Sequence, residues 1–178
     1  MNVFQTITQK AAEAELPFLV IGGYAVMAHG FVRATDDLDL LVQRTRRDHW
    51  RRLLEGLGMT VYREAPAFTQ FNPPPGARLP VDLMFVADGG FEQMRASANP
   101  ANVGGVSFGV VSLLHLIALK CHAIQHGKSL RRVKDTNDLI QLIIINGLDL
   151  NEPELRATVL KHGDHELYEK LRRACASE

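Results

Sequence analysis

Cysteine is scarce. Only Cys121 and Cys175 occur in 178 residues, far apart and both in helical sequence. Such spacing excludes a disulfide framework and a cysteine-based zinc site, and the two read as reduced structural thiols. An excess of either charge is also missing. Twenty basic residues balance twenty acidic ones, so no global field draws the chain to nucleic acid or anionic lipid, and any polyanion must be met by a local patch. No apolar run is long enough for a signal peptide or a membrane span, so the expected compartment is the cytoplasm, with no membrane partner. Repeats and low-complexity tracts are absent. So are a Walker loop, which needs Gly-Lys-Ser/Thr, and a dinucleotide fingerprint.

What is present is ordinary globular composition, 46% apolar and 22% charged, at about one domain's length. Residues 2–15 read as a helix, "PFLVI" as a buried strand stopping at Gly22-Gly23, and "YAVMAHG" as a short helix closed by Gly30. "DDLDLLV", "AFTQFN", "LPVDLMFV" and "GVSFGVV" read as strands, with "PPPGAR" as a turn-rich separator. "TRRDHWRRLLEGLG" reads as an amphipathic helix with Thr45 as its N-cap. From Ser112 onward the pattern is helical, at 112–126, about 130–145, 153–161 and 165–175, with Gly127, Gly147 and Gly163 at the breaks. The expected fold is α+β: a mixed sheet flanked by helices over 1–110, with a helical subdomain over 111–178 packed on it.

The stretch "VIGGYAVMAHGFVRATDDLDLLV", residues 20–42, sets charge inside apolar strand sequence. Alternation along a strand puts Asp37 and Asp39 on one face, roughly 7 Å apart at Cα, with Leu38 and Leu40 on the other. Two carboxylates so placed repel one another or share a hard cation such as Mg²⁺ or Mn²⁺. Asp82 in "LPVDLMFV" has the same setting and completes a triad if its strand lies beside the first. For a single aspartate an exposed strand end is the plainer account; for three, each embedded in apolar strand, a metal site is the stronger one. Gly22 and Gly23 lack side chains and open a helix, where backbone N–H groups and the dipole favour an anion. Phosphate on the glycines and metal on the aspartates make a constellation for a nucleoside triphosphate.

Lys120 gives an independent sign. It lies mid-stripe among Leu113, Leu116, Ile117, Ala123 and Ile124 at helical spacing, where a lysine needs a partner; the triphosphate is the expected one, and snorkelling to solvent the alternative. His115, His122 and His126 fall on the opposite face. His122 and His126 have zinc-pair spacing without an evident third ligand, so a solvated or partner-facing side is expected. "RTRRDHWRR" offers cations with Trp50, either for RNA by phosphate contact and stacking or as a solvated helix face.

Gly22-Gly23, then Asp37-Leu38-Asp39-Leu40, then Asp82 on a later strand resembles the nucleotidyltransferase superfamily of the DNA polymerase β type. The fuller string, with Arg33 and Thr35 ahead of the aspartates, is similar to the AbiEii-like, toxin-type branch of minimal nucleotidyltransferases. "LLHLIALKCHAI" and "VKDTNDLIQLI" match that branch's helical half through Lys120, Lys134, Asp135 and Asp138. The likeness covers most of residues 18–145. It departs at Gly23, where the family often has a serine.

The resemblance implies an enzyme moving a nucleoside monophosphate from a nucleoside triphosphate such as ATP to a hydroxyl. Asp37, Asp39 and Asp82 would be catalytic and metal-binding. Gly22, Gly23, Arg33, Thr35, Lys120, Lys134 and Asp138 would serve the nucleotide. On sequence alone, Arg131 with Asp135 and Lys134 with Asp138 are surface ion pairs four apart, worth ~0.3–0.5 kcal/mol each. The acceptor could be tRNA or a protein, and the setting a toxin with a cognate antitoxin. The competing reading keeps the fold without the chemistry, as a nucleotide-binding or antitoxin-like interaction protein.

Overall fold

The computed structural model describes residues 3–127 and 129–176. The chain divides into two compact units, Met1–Ala28 with Arg33–Val111, and His29–Val32 with Ser112–Glu178. Among the described residues no helix is long and apolar enough to cross a membrane.

The first unit begins with helix α1 (Val3–Glu13), strand β1 (Leu19–Val20) and helix α2 (Gly22–Ala28). Strand β2 (Leu38–Gln43) and helix α3 (Arg47–Gly56) follow, then β3 (Thr60–Ala65), β4 (Phe68–Asn72) and β5 (Val81–Val86). Helix α4 (Asp88–Ala96), β6 (Asn99–Val103) and β7 (Val106–Val110) complete it. The strands form one sheet in the order β3-β4-β5-β2-β1-β7-β6. It is mixed: β2 runs antiparallel to β1 but parallel to β5, and β1 parallel to β7. The expected mixed sheet with helices is therefore present.

Residue choice explains the centre of the sheet. Leu38, Leu40, Leu41 and Val42 of β2 are fully buried, each worth about 1.5–3 kcal/mol of transfer free energy. Strand β5 alternates, with Val81, Leu83 and Phe85 inside. β1 is shorter than "PFLVI" suggested: directly after the Ile21 N–H bonds to the Asp39 carbonyl, the chain turns at Gly22, whose φ is +62°. Helix α1 docks Phe4 on Phe108, ring centroids 5.0 Å apart.

Three elements run against their local sequence. β3 is mostly exposed, so it lacks a strand's apolar alternation. α4 opens on Gly89 and Gly90, which disfavour helix. β6 contains Pro100, tolerated because the strand is at the sheet edge. Thr45 is not the N-cap of α3: a 3₁₀ turn at Arg44–Arg46 intervenes, and the Thr45 hydroxyl donates to Asp88 Oδ2 at 2.6 Å.

The second unit carries helices α5 (Leu113–His126), α6 (Ser129–Ile145), α7 (Pro153–His162) and α8 (His165–Cys175). Ile117, Cys121, Leu139, Ile143, Val159 and Leu171 form its core. Ser112, Glu152 and Asp164 cap α5, α7 and α8, each accepting a backbone N–H. Both cysteines are free thiols, and burial pushes the Cys121 thiol up to about 12.

Candidate active site

Strands β2 and β5 lie side by side in register, so Asp39 sits directly beside Asp82 and Leu38 beside Val81. Neighbouring strands are about 4.8 Å apart, which brings side chains on a shared face within reach of one another. Asp37, one residue ahead of β2, projects to the face of Asp39. Each of Asp37, Asp39 and Asp82 offers a carboxylate oxygen, and these oxygens all lie within 4.8 Å of one another. All three are withdrawn from full solvent exposure. Convergence of the triad, the central expectation from sequence, is thus a feature of the fold.

Uncharged donors hold two of the carboxylates. Thr35 Oγ1 donates to Asp37 Oδ1 at 3.1 Å. Gln70 of β4, opposite Asp82 in the antiparallel pairing, donates from Nε2 to Asp82 Oδ2. Sequence reasoning passed over Gln70. Its one signal is a polar residue between the buried Thr69 and Phe71 of a strand, which reveals nothing about the neighbour it faces.

The diglycine turn has a steric cause that sequence could not supply. A Cβ on Gly22 would fall 1.8 Å from Asp39 Oδ2, and Gly22 has φ +62°, where an L side chain is strained. A Cβ on Gly23 would fall 2.1 Å from Thr35 Oγ1. Both glycines therefore make room for the groups that build the acid cluster. Arg33 folds back, its Nη1 donating to the Ala34 carbonyl at 2.9 Å.

The donor set suits a hard divalent cation. Carboxylate oxygens favour Mg²⁺, Mn²⁺ or Ca²⁺, whereas zinc and copper sites draw on imidazole and thiolate. Among the described residues this triad is the one such group of three; no third ligand joins His122 and His126, whose rings lie 4.4 Å apart at the surface.

The remaining sequence-predicted residues are in the second unit. Lys120 is 7% exposed, and its ammonium donates to Asp135 Oδ1 at 2.5 Å and Asp138 Oδ2 at 2.6 Å. The partner that a mid-stripe lysine requires is thus a pair of carboxylates from α6. Arg131 approaches Asp135 at 3.8 Å, as its spacing predicted, but Asp138 turns inward to Lys120 and does not pair with Lys134. Lys134 is exposed. Trp50 is fully buried and edge-on to Phe18 at 5.7 Å, which removes it as a stacking platform.

The fold is that of the nucleotidyltransferases. Its solved neighbours include ANT(2″)-Ia in complex with adenylyl-2″-tobramycin, with TM-score 0.58 and 19% identity over 98% of this chain and 95% of that one. An antigenic nucleotidyltransferase-like protein from Paracoccidioides brasiliensis matches with TM-score 0.55 and 17% identity, covering 100% and 95%. The lincosamide antibiotic adenylyltransferase LnuA, lincomycin-bound, matches at 0.55 and 14%, covering 76% and 93%. No protein-family model matches the sequence, and no match is found among curated proteins.

Proposed function

We propose that the protein is a nucleotidyltransferase that moves a nucleoside monophosphate from a nucleoside triphosphate to an acceptor hydroxyl, releasing pyrophosphate. The observation that carries this is the meeting of Asp37, Asp39 and Asp82 within 4.8 Å at the diglycine turn, in a fold shared with adenylyltransferases. Asp37 and Asp39 would hold Mg²⁺, with Asp82 as a third oxygen ligand. When bound, the metal neutralises phosphate charge and aligns an in-line displacement.

The chain's own groups do the rest. Asp82 takes the acceptor's hydroxyl proton; the acceptor oxygen bonds to the α-phosphorus as the bond to pyrophosphate breaks. Gln70 fixes the Asp82 carboxylate, and Thr35 fixes that of Asp37. Backbone N–H groups at Gly22 and Gly23 meet the phosphates, and Arg33 steadies the approach to β2. By resemblance, Lys134 supplies a further cation for the nucleotide. Lys120 and Asp138, bound to each other, hold the helix that carries it.

The acceptors seen with structural neighbours, tobramycin and lincomycin, are small molecules. The AbiEii-like resemblance points instead to tRNA or protein and to a toxin with a cognate antitoxin. Incubating the protein with each labelled nucleoside triphosphate and Mg²⁺ in cell extract tests the reading, with Asp37→Asn as control. Label should appear on an acceptor with wild type alone; equal labelling by Asp37→Asn sinks the assignment.

A further inference from the structure

Granted the transfer reaction proposed above, we infer that Gln70 is the positioning residue of its chemical step. It aims the Asp82 carboxylate at the reacting atoms, and it does so as a neutral donor, so that the charge of the triad is left to the metal.

The place of Gln70 follows from register. Strand β5 lies between β2 and β4, and Asp82 has Asp39 directly beside it on one side and Gln70 on the other. Directly opposed residues project to one face of a sheet, so Asp39, Asp82 and Gln70 form a row across three strands. The other face of β4 and β5 is the buried one, filled by Thr69, Phe71, Val81 and Leu83. Gln70 therefore does not serve that core.

Backbone pairing sets where the Asp82 side chain starts but not how its carboxylate is turned. The terminal torsion of an aspartate is soft and roughly two-fold, and the charge on Asp39 pushes the group toward β4. An ionised carboxylate only accepts, so the Gln70 amide meets it with N–H, and Nε2 holds Oδ2. Fixing one oxygen fixes the other. A base must stand within hydrogen-bond reach of the proton it takes, and a misplacement of about 1 Å costs ~100-fold in rate.

The neutrality of the amide matters as much as its reach. The row continues to Arg63 of β3, opposite Gln70. Its guanidinium lies over the Phe68 ring, 5.1 Å from the centroid. The backbone of Arg63 is two strands from that of Asp82, roughly 10 Å. Gln70 thus keeps the row's cation one strand away from the carboxylates. A lysine in its place would do for this triad what Lys120 does for Asp135 and Asp138: bring countercharge from the chain and compete with the metal.

Two substitutions separate aim from charge. Gln70→Met is close in shape but has no donor. With α-labelled nucleoside triphosphate in cell extract, its maximal transfer rate should fall about ten- to a hundredfold while KM for the triphosphate changes little. Calorimetry on the purified variant should show Mn²⁺ affinity near that of wild type. Gln70→Lys keeps a donor of similar reach and adds a charge. Its Mn²⁺ affinity should fall about tenfold or more, and its metal-free melting temperature should rise. Raising Mg²⁺ should recover activity in Gln70→Lys that it does not recover in Gln70→Met. A wild-type maximal rate in Gln70→Met, its failure to fold, or one and the same metal dependence in both variants overturns the inference. Asp37-dependent labelling would in each of those cases leave the transfer reaction standing, whereas equal labelling by wild type and Asp37→Asn removes both.

Discussion

Each unit of the molecule gathers aspartates, and the two gatherings are built on opposite terms. In the second unit Asp135 and Asp138 face Lys120, so the countercharge is part of the chain and the cluster is closed. In the first, Asp37, Asp39 and Asp82 converge with Thr35 and Gln70 supplying hydrogen bonds but no charge. Buried charge costs free energy unless it is matched. One cluster thus draws countercharge from the chain's own Lys120, while the other brings three carboxylate oxygens together in an arrangement that suits a hard cation.

The largest expected effect separates these roles by activity. Asp39→Asn should lower transfer by roughly a thousandfold or more, several kcal/mol of barrier. Its melting temperature without added metal should be unchanged or higher, because one of three mutually repelling charges is gone. A clear loss of metal-free stability would show that this triad too is structural.

Lys120→Met should act the other way round. It removes the ammonium that Asp135 and Asp138 share while both carboxylates stay buried, costing about 3–5 kcal/mol in urea unfolding. Replacing all three by apolar residues of similar size should restore most of that loss, because an absent ion pair costs less than half of one. If Lys120→Met unfolds no more easily than wild type, the buried cluster is not matched in the way its distances indicate.

Gly22→Ala is expected to cost about 1–3 kcal/mol through the left-handed backbone and to push the Asp39 carboxylate aside. The readout is the rise in melting temperature on adding Mg²⁺ with ATP, which should vanish.

The smallest effect lies at the α8 cap. The Leu167 N–H, and then Gln125, hold the Asp164 carboxyl below its usual pKa. A depressed carboxyl stabilises the fold above its unfolded pKa, and that contribution disappears as pH falls through the lower folded value. Asp164→Ala should therefore cost about 1 kcal/mol near neutrality, with the gap to wild type closing below about pH 4.

Legibility from sequence varied with how much each residue depends on distant partners. The four C-terminal helices were readable because glycines at 127, 147 and 163 punctuate regular periodicity. The aspartates were readable because charge interrupts apolar strands. Spacing alone reads Asp135 and Asp138 as members of surface ion pairs, because residues four apart say nothing of which side is buried, and both are buried. The steric duty of Gly22 and Gly23 was out of reach for the same reason: it is set by Asp39 and Thr35, brought back to the turn by folding. β3, α4 and β6 are held by their neighbours against weak local preference.

The pairing of β2 with β5 also sets how the chain can change length. Leu83 is sealed in the interior directly after Asp82, so it acts as a ruler for that carboxylate. Residues gained or lost in the 73–79 loop can be absorbed at the surface. A single residue inserted between Val81 and Leu83 would force a choice between exposing leucine and turning the acid to the wrong face.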